Sequence, residues 1–166
     1  MIKVGGVFEM PLSNGKRAYG QYVFRDKKMG PLIQVFNLIT EEQVDVSRLV
    51  NAGPLFPPIF TGLFAAINKG LWKPIGRMPD EKFVYPNFVN SHYDEKTGRA
   101  YMWFLWDGNR FLKIGPELPD KFKKLEYLVI WNPSNVIHRI ESGTYPYPFG
   151  DLIHNNFFDP RSTEHK

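Results

Sequence analysis

At 166 residues the chain has the length of one domain with a sizeable core, and 16% of it is aromatic, a share that favours pleated, half-buried surfaces. It has no cysteine, which excludes disulfides and thiolate chemistry. Its net charge of +4 is spread evenly, with eleven Lys/Arg against seven acids up to Phe83 and ten against ten beyond, so nucleic acid is not the expected partner.

The N-terminal segment MIKVGGVFEM carries no signal-peptide-like apolar run, and no apolar stretch is long enough to span a bilayer. Together with the missing cysteine this sets the expectation of a cytoplasmic protein without a membrane. Gly6 to Pro11 alternates like a strand and meets Ser13-Asn14-Gly15-Lys16, where Asn-Gly is a strong hairpin signal. RAYGQYVFRD from Arg17 is aromatic and β-branched, the polar Lys27 to Gly30 turns the chain, and Pro31 to Phe36 resumes. These segments predict a three-stranded antiparallel meander. Glu41 to Val50 reads either as a short helix or as an acidic loop, and three prolines between Ala52 and Pro58 forbid a central strand there.

Thr61 to Gly76, TGLFAAINKGLWKPIG, predicts a short helix capped by Thr61, with Leu63, Phe64 and Ile67 on a buried face and Gly70 as its stop. Leu71 to Arg77 then runs extended, and Pro74 assigns it to a sheet edge. Trp72 reads as a core or edge-covering residue.

A second meander is expected from Phe83. Its first strand, interrupted by Pro86, should lie at an edge. Asp94 to Gly98 forms a hairpin loop, Arg99 to Trp106 is the most β-like segment, and Asp107-Gly108 turns the chain into Arg110 to Ile114. RAYMWFLW at Arg99 echoes RAYGQYVF at Arg17, as a duplicated unit would. Both faces of this strand are apolar, so it is either sandwiched or offers one face to a partner. Tyr101 and Trp103, two residues apart, would be the anchors.

Pro133 to Gly143 predicts a helix capped by Ser134 or Asn135, with Val136, Ile137 and Ile140 inward and Gly143 as its stop. The fold class is therefore mainly β (α+β): a curled antiparallel sheet or a barrel-like one, built from two meanders with one or two short helices. Residues 1–150 are expected to form a single domain, and 151–166 a partly ordered tail.

Catalytic signatures are missing. No metal-binding His/Glu spacing, phosphate loop or nucleophile elbow occurs. His92 beside Asp94 sits at a hairpin mouth where polar residues are expected, and His138, His154 and His165 fall on the polar helix face or in the tail. Glu9, between Phe8 and Met10, is the acid that alternation would turn inward. No catalytic, cofactor-binding or metal residue is assigned.

The order GGVFEMPLSNGKRAYGQYVFRD, LIQVFN, PIFTGLFAAINKGLWKPIGRMP resembles the immunity protein 26 family of bacterial polymorphic toxin systems. The matching pieces are Gly6 to Leu12, Asn14-Gly15, Tyr19-Gly20-Gln21-Tyr22 and Asn68 to Gly76, within residues 3 to 114. Lys69, inside the family's Asn-Gly pair, and the aromatic C-terminal tail depart from the pattern. The resemblance implies a non-enzymatic, cytosolic, mostly β protein that binds a cognate toxin domain and needs no cofactor. Should that toxin be a basic nuclease, Glu41, Glu42 and Asp45 would supply an acidic patch. The rival readings are an aromatic-lined β module for carbohydrate or single-stranded nucleic acid, stacking on Trp72 or Trp103, and a small hydrolase using Glu9 or His92. The oligomeric state and the toxin's chemistry are left open.

Overall fold

The computed structural model describes residues 1–79, 82–145 and 148–163, so His165 lies outside the described residues. Among these are ten strands in two open, mixed sheets and three short α-helices. The protein is mainly β, as the alternation and aromatic content predict, and the sheets do not close into a barrel. The chain divides into two compact units, residues 1–84 with 129–143, and residues 85–128 with 144–166.

The first unit is built on the predicted meander: β1 (Gly6–Pro11), β2 (Arg17–Asp26) and β3 (Gly30–Val35), paired antiparallel. The first hairpin departs from the expected Asn-Gly turn. Leu12 N–H donates to Lys16 O across a three-residue loop, and Gly15 alone takes a positive φ of 81°, so the turn is of the bulged type rather than the tighter two-residue one. The acidic Glu41–Val50 stretch resolves into a loop, exposed but for Val44, and one 3-10 turn, Val46–Leu49, capped by the Asp45 carboxylate on Ser47 N–H.

After the prolines, β4 (Ile59–Thr61) pairs antiparallel with β3, and α1 (Leu63–Asn68) carries the chain to the opposite side of the sheet. There β5 (Lys73–Arg77) pairs with β1, and Pro74 sits at an edge as expected. The helix differs in detail. Thr61 belongs to β4 and donates its hydroxyl to Trp131 O at 2.8 Å, so Gly62 is the cap residue. The buried positions are Leu63 and Ala66, while Phe64 and Ile67 are half-buried. The helix stop is as predicted: Gly70 N–H donates to Ile67 O and Leu71 N–H to Ala66 O, the paired bonds of a Schellman motif.

Opposite faces of β1 and β2 feed different parts of the core. On one face Val7 and Tyr19 pack with Phe36, Val44 and Leu49. Glu9 lies on the same face, buried, with its carboxylate 3.3 Å from the Arg17 guanidinium, which pairs the buried charge. On the other face Phe8 stacks on Trp72 with ring centroids 5.4 Å apart and planes 3° apart. Phe8 is paired with Gly20 in register, and a Cβ at Gly20 would stand 2.5 Å from the Phe8 ring. The missing side chain is the space in which Phe8 lies.

The second unit holds β6 (Phe88–Tyr93), β7 (Ala100–Trp106) and β8 (Phe111–Gly115), again an antiparallel meander. The expectation that its first strand is an edge is corrected. Two short strands, β9 (Glu126–Tyr127) and β10 (Ile130–Trp131), follow one another in the chain; β9 joins β6 and β10 joins β4, each in parallel. The β6 strand begins after Pro86, so that proline leaves its ladder intact and β6 becomes internal.

Beyond β10, α2 (Pro133–Ser142) buries Val136 and Ile140 and ends at Gly143 as predicted. Its cap is Asn132, two or three positions earlier than expected, because Pro133 fits the first helical position where no N–H is needed. The sequence reading assigned no helix to the following aromatic stretch, yet α3 (Phe149–Asn155) forms there and buries Leu152 and Ile153.

Candidate interaction surface

The β7 strand positions the residues that the sequence singled out. Its Tyr101 and Trp103 were expected to share a face, but they meet different surroundings. In the β6–β7 register His92 pairs with Met102 and Tyr93 with Ala100, so Tyr101 is an extra residue without a partner. Such a bulge re-aims side chains. The Tyr101 ring lies 6.0 Å from the His92 ring and is 58% exposed, whereas Trp103 is fully buried.

Trp103 is held by two partners, one of them braced in turn by α3. Its indole N–H donates to Asn156 Oδ1 at 2.6 Å, its ring meets Tyr127 edge-on at 6.2 Å, and Tyr127 in turn stacks on Phe149 of α3 at 4.3 Å. The Tyr127 hydroxyl accepts the Ser91 N–H at 3.1 Å and lies 2.9 Å from the Ser91 hydroxyl. Burial pushes the Tyr127 phenol above its ordinary pKa, against the opposing pull of those Ser91 bonds. Asn156 is left-handed (φ 60°) at the end of α3, and it also accepts the Ala100 N–H and donates its own amide to Ala100 O. Gly98 completes the clamp: with φ 72° and a would-be Cβ 1.8 Å from Phe158 O, no other residue fits. The aromatic tail therefore covers one face of β7 and removes Trp103 from the accessible surface. The missed signal was Asn156, a residue type that tolerates the left-handed stop of a helix.

The other face of the same sheet is half-open and lined by rings. His92 and Phe104 lie 4.9 Å apart, Phe104 and Phe111 6.2 Å, and Phe111 and Trp106 4.7 Å. The Trp106 indole N–H donates to the Tyr85 hydroxyl at 3.1 Å, and Tyr85 meets Phe88 edge-on. Phe111, opposite Trp106 in register, is 52% exposed, and Lys113, opposite Phe104, is exposed. With Tyr101 beside His92, the rings form a continuous ladder across three strands, with Lys113 at its rim. Few charges and several anchored aromatics are the composition of an interface centre.

At the turn entering β8 the Asp107 carboxylate accepts the N–H groups of Asn109 and Arg110, both at 2.9 Å. Those bonds, Arg110's first, hold its pKa below the ordinary carboxylate value.

The acids Glu41, Glu42 and Asp45 are exposed on the loop between β3 and β4, in the first unit, whereas Tyr101 and Trp103 belong to the second. Also in the first unit, a groove of about 610 Å³ runs between α1 and α2, with Ala66, Leu71, Trp72, Pro133 and Ile137 among its walls. His92 and Asp94 do not form a catalytic pair: the Asp94 carboxylate accepts Lys96 and Thr97 N–H groups within the hairpin, and His92 packs on Phe104. Among the described residues there is no group of three or more His, Asp or Glu side chains placed to hold a metal ion, and no helix long and apolar enough to cross a membrane.

A family model described as Immunity protein 26 matches residues 3–97, more than half the chain, from the start of β1 through β6 and into the following hairpin. The match stops short of β7, inside the span to 114 over which the sequence resembles that family. No curated protein and no solved structure matches the chain.

Proposed function

The chain belongs to the immunity protein 26 family, and on that premise we propose that it is a non-enzymatic, cytoplasmic immunity protein that binds and neutralises the toxin domain of a bacterial polymorphic toxin system. The family carries the toxin-neutralising role in general terms; the ring ladder on the second sheet is the observation that supports binding as the means. Side chains there are preordered by mutual packing, so an incoming apolar surface meets them at low entropic cost. Tyr101 and Phe111 are the exposed anchors, and the buried Trp103 serves as the support behind them. For a basic nuclease toxin, the exposed Glu41, Glu42 and Asp45 offer a second, acidic contact.

A carbohydrate or single-stranded nucleic acid module is less well supported. Stacking on such ligands needs open ring faces, and all four tryptophans are buried, Trp72 and Trp103 among them.

Co-expression with the C-terminal toxin domain encoded beside this gene tests the reading. Growth should be restored, and the two proteins should purify as a complex. Tyr101→Ala or Phe111→Ala should weaken that complex about tenfold or more, as interface anchors do. Absence of both rescue and complex would sink the proposal.

A further inference from the structure

Sheet edges are where unpaired N–H and C=O groups wait for another strand, and proteins blunt them with prolines, charges or short strands. Three of the four edges here are blunted. The edge strand β5 carries Pro74 at its second position and cations at both ends, Lys73 and Arg77. The edge strands β9 and β10 are two residues long.

The fourth edge is β8, which is the least blunted, with one charge, Lys113, and neither a proline nor a two-residue length. Its five residues, Phe-Leu-Lys-Ile-Gly, contain no proline, and both apolar Phe111 and Leu112 are exposed. In an antiparallel pair every second residue directs its backbone groups away from the neighbour, so β8 presents such groups outward. Beyond its pairing with β7, the backbone of residues 111–115 enters no other hydrogen bond among the described residues. The same strand supplies the outer rung of the ring ladder through Phe111.

Lys113 decides which strand fits. It is the middle residue of β8, exposed, and aligned with Phe104. If a second copy of this chain added in full antiparallel register, Lys113 would face its own counterpart, and directly opposed like charges destabilise a pair. A strand carrying Asp or Glu at that position gains an ion pair instead, and apolar side chains at its next two positions would pair with Leu112 and Phe111, one on each face of the sheet.

We propose that the toxin domain docks by adding a strand to β8, with an acidic residue opposite Lys113 and apolar residues laid over the ring ladder. This rests on the neutralisation reading above and gives it a geometry. Backbone hydrogen bonds provide affinity in this mode, and the alternating side chains provide the choice of partner.

Hydrogen–deuterium exchange on the full chain, free and bound to the toxin domain encoded beside its gene, tests it. The outward-directed amides among residues 111–115 should slow at least tenfold in the complex, while those of β5 keep their free rates. Lys113→Glu should raise the Kd by about tenfold, less so at high salt, and Lys113→Arg should bind as the native chain does. A complex in which residues 111–115 exchange as fast as in the free chain overturns strand addition and leaves neutralisation standing. So does native affinity in the Lys113→Glu chain. Sedimentation of the chain alone as a dimer with β8 protected would assign the edge to a second copy and overturn the proposal. If no complex forms at all, the neutralisation reading falls and this one with it. Should the charge-reversed chain fail to fold, the exchange experiment on the native chain still decides.

Discussion

The same three residues, Arg-Ala-Tyr, open β2 and lead into β7 from Arg99, and each is the middle strand of an antiparallel meander, yet they do opposite work. In β2 the chain is buried from Ala18 to Val23. Tyr19 is fully buried, and its hydroxyl lies 2.8 Å from the Thr40 hydroxyl while accepting the Val44 N–H at 3.3 Å. In β7 the equivalent Tyr101 is a bulge residue on the surface. The following position is Gly20 in one and Met102 in the other. Glycine makes room for Phe8 and so lets a second aromatic layer close over β2, whereas Met102 leaves its face half-open. Local sequence sets both segments as strands; what lies over them decides whether an identical tyrosine is core or contact.

The widest expected separation is between the two tyrosines. Tyr19→Ala should cost about 3–5 kcal/mol in urea unfolding, the range for truncating a buried aromatic. Tyr101→Ala should stay within about 0.5 kcal/mol, as surface changes do. Equal losses would break the contrast.

Gly20→Ala comes next. The added methyl must displace the Phe8 ring from its stack on Trp72, an overpacking cost of about 1–3 kcal/mol. Near-ultraviolet circular dichroism should lose part of its tryptophan signal in the same variant. A neutral result would mean that the room for Phe8 is not what closes β2.

The smallest effect belongs to the β7–β8 turn. Asp107 has a folded pKa depressed below its ordinary 3.8 by the Arg110 and Asn109 N–H groups. A depressed carboxylate contributes stability that is fully present above its unfolded pKa and is lost as pH falls through the folded one. Asp107→Asn should therefore lower the Tm slightly at pH 7, and the difference from the native chain should shrink at acid pH. A gap that widens in acid would contradict the assigned cause.

Much of the fold was legible because it depends on near neighbours. Alternation and turn residues located β1, β2, β3, β7 and β8, and Gly70 and Gly143 marked where α1 and α2 end. Glu9 could be turned inward from Phe8 and Met10 alone, since side chains alternate along a strand. The candidate surface was half-legible. Sequence pointed to β7 and to Tyr101, but paired Tyr101 with Trp103 on one face, because a bulge cannot be read from a single strand's pattern.

The remainder required contacts between residues far apart in the chain. By itself the sequence determined a mainly β protein of the immunity protein 26 family, because strand periodicity, turn chemistry and motif order are all local properties. Only the tertiary structure placed the two-residue strands β9 and β10, which are too short to carry a period. It alone docked Asn156 onto Trp103, 53 positions away, and so buried one face of β7 while leaving the other open. Which aromatic becomes surface is settled by what covers it, and cover comes from distant segments whose arrival no local pattern encodes.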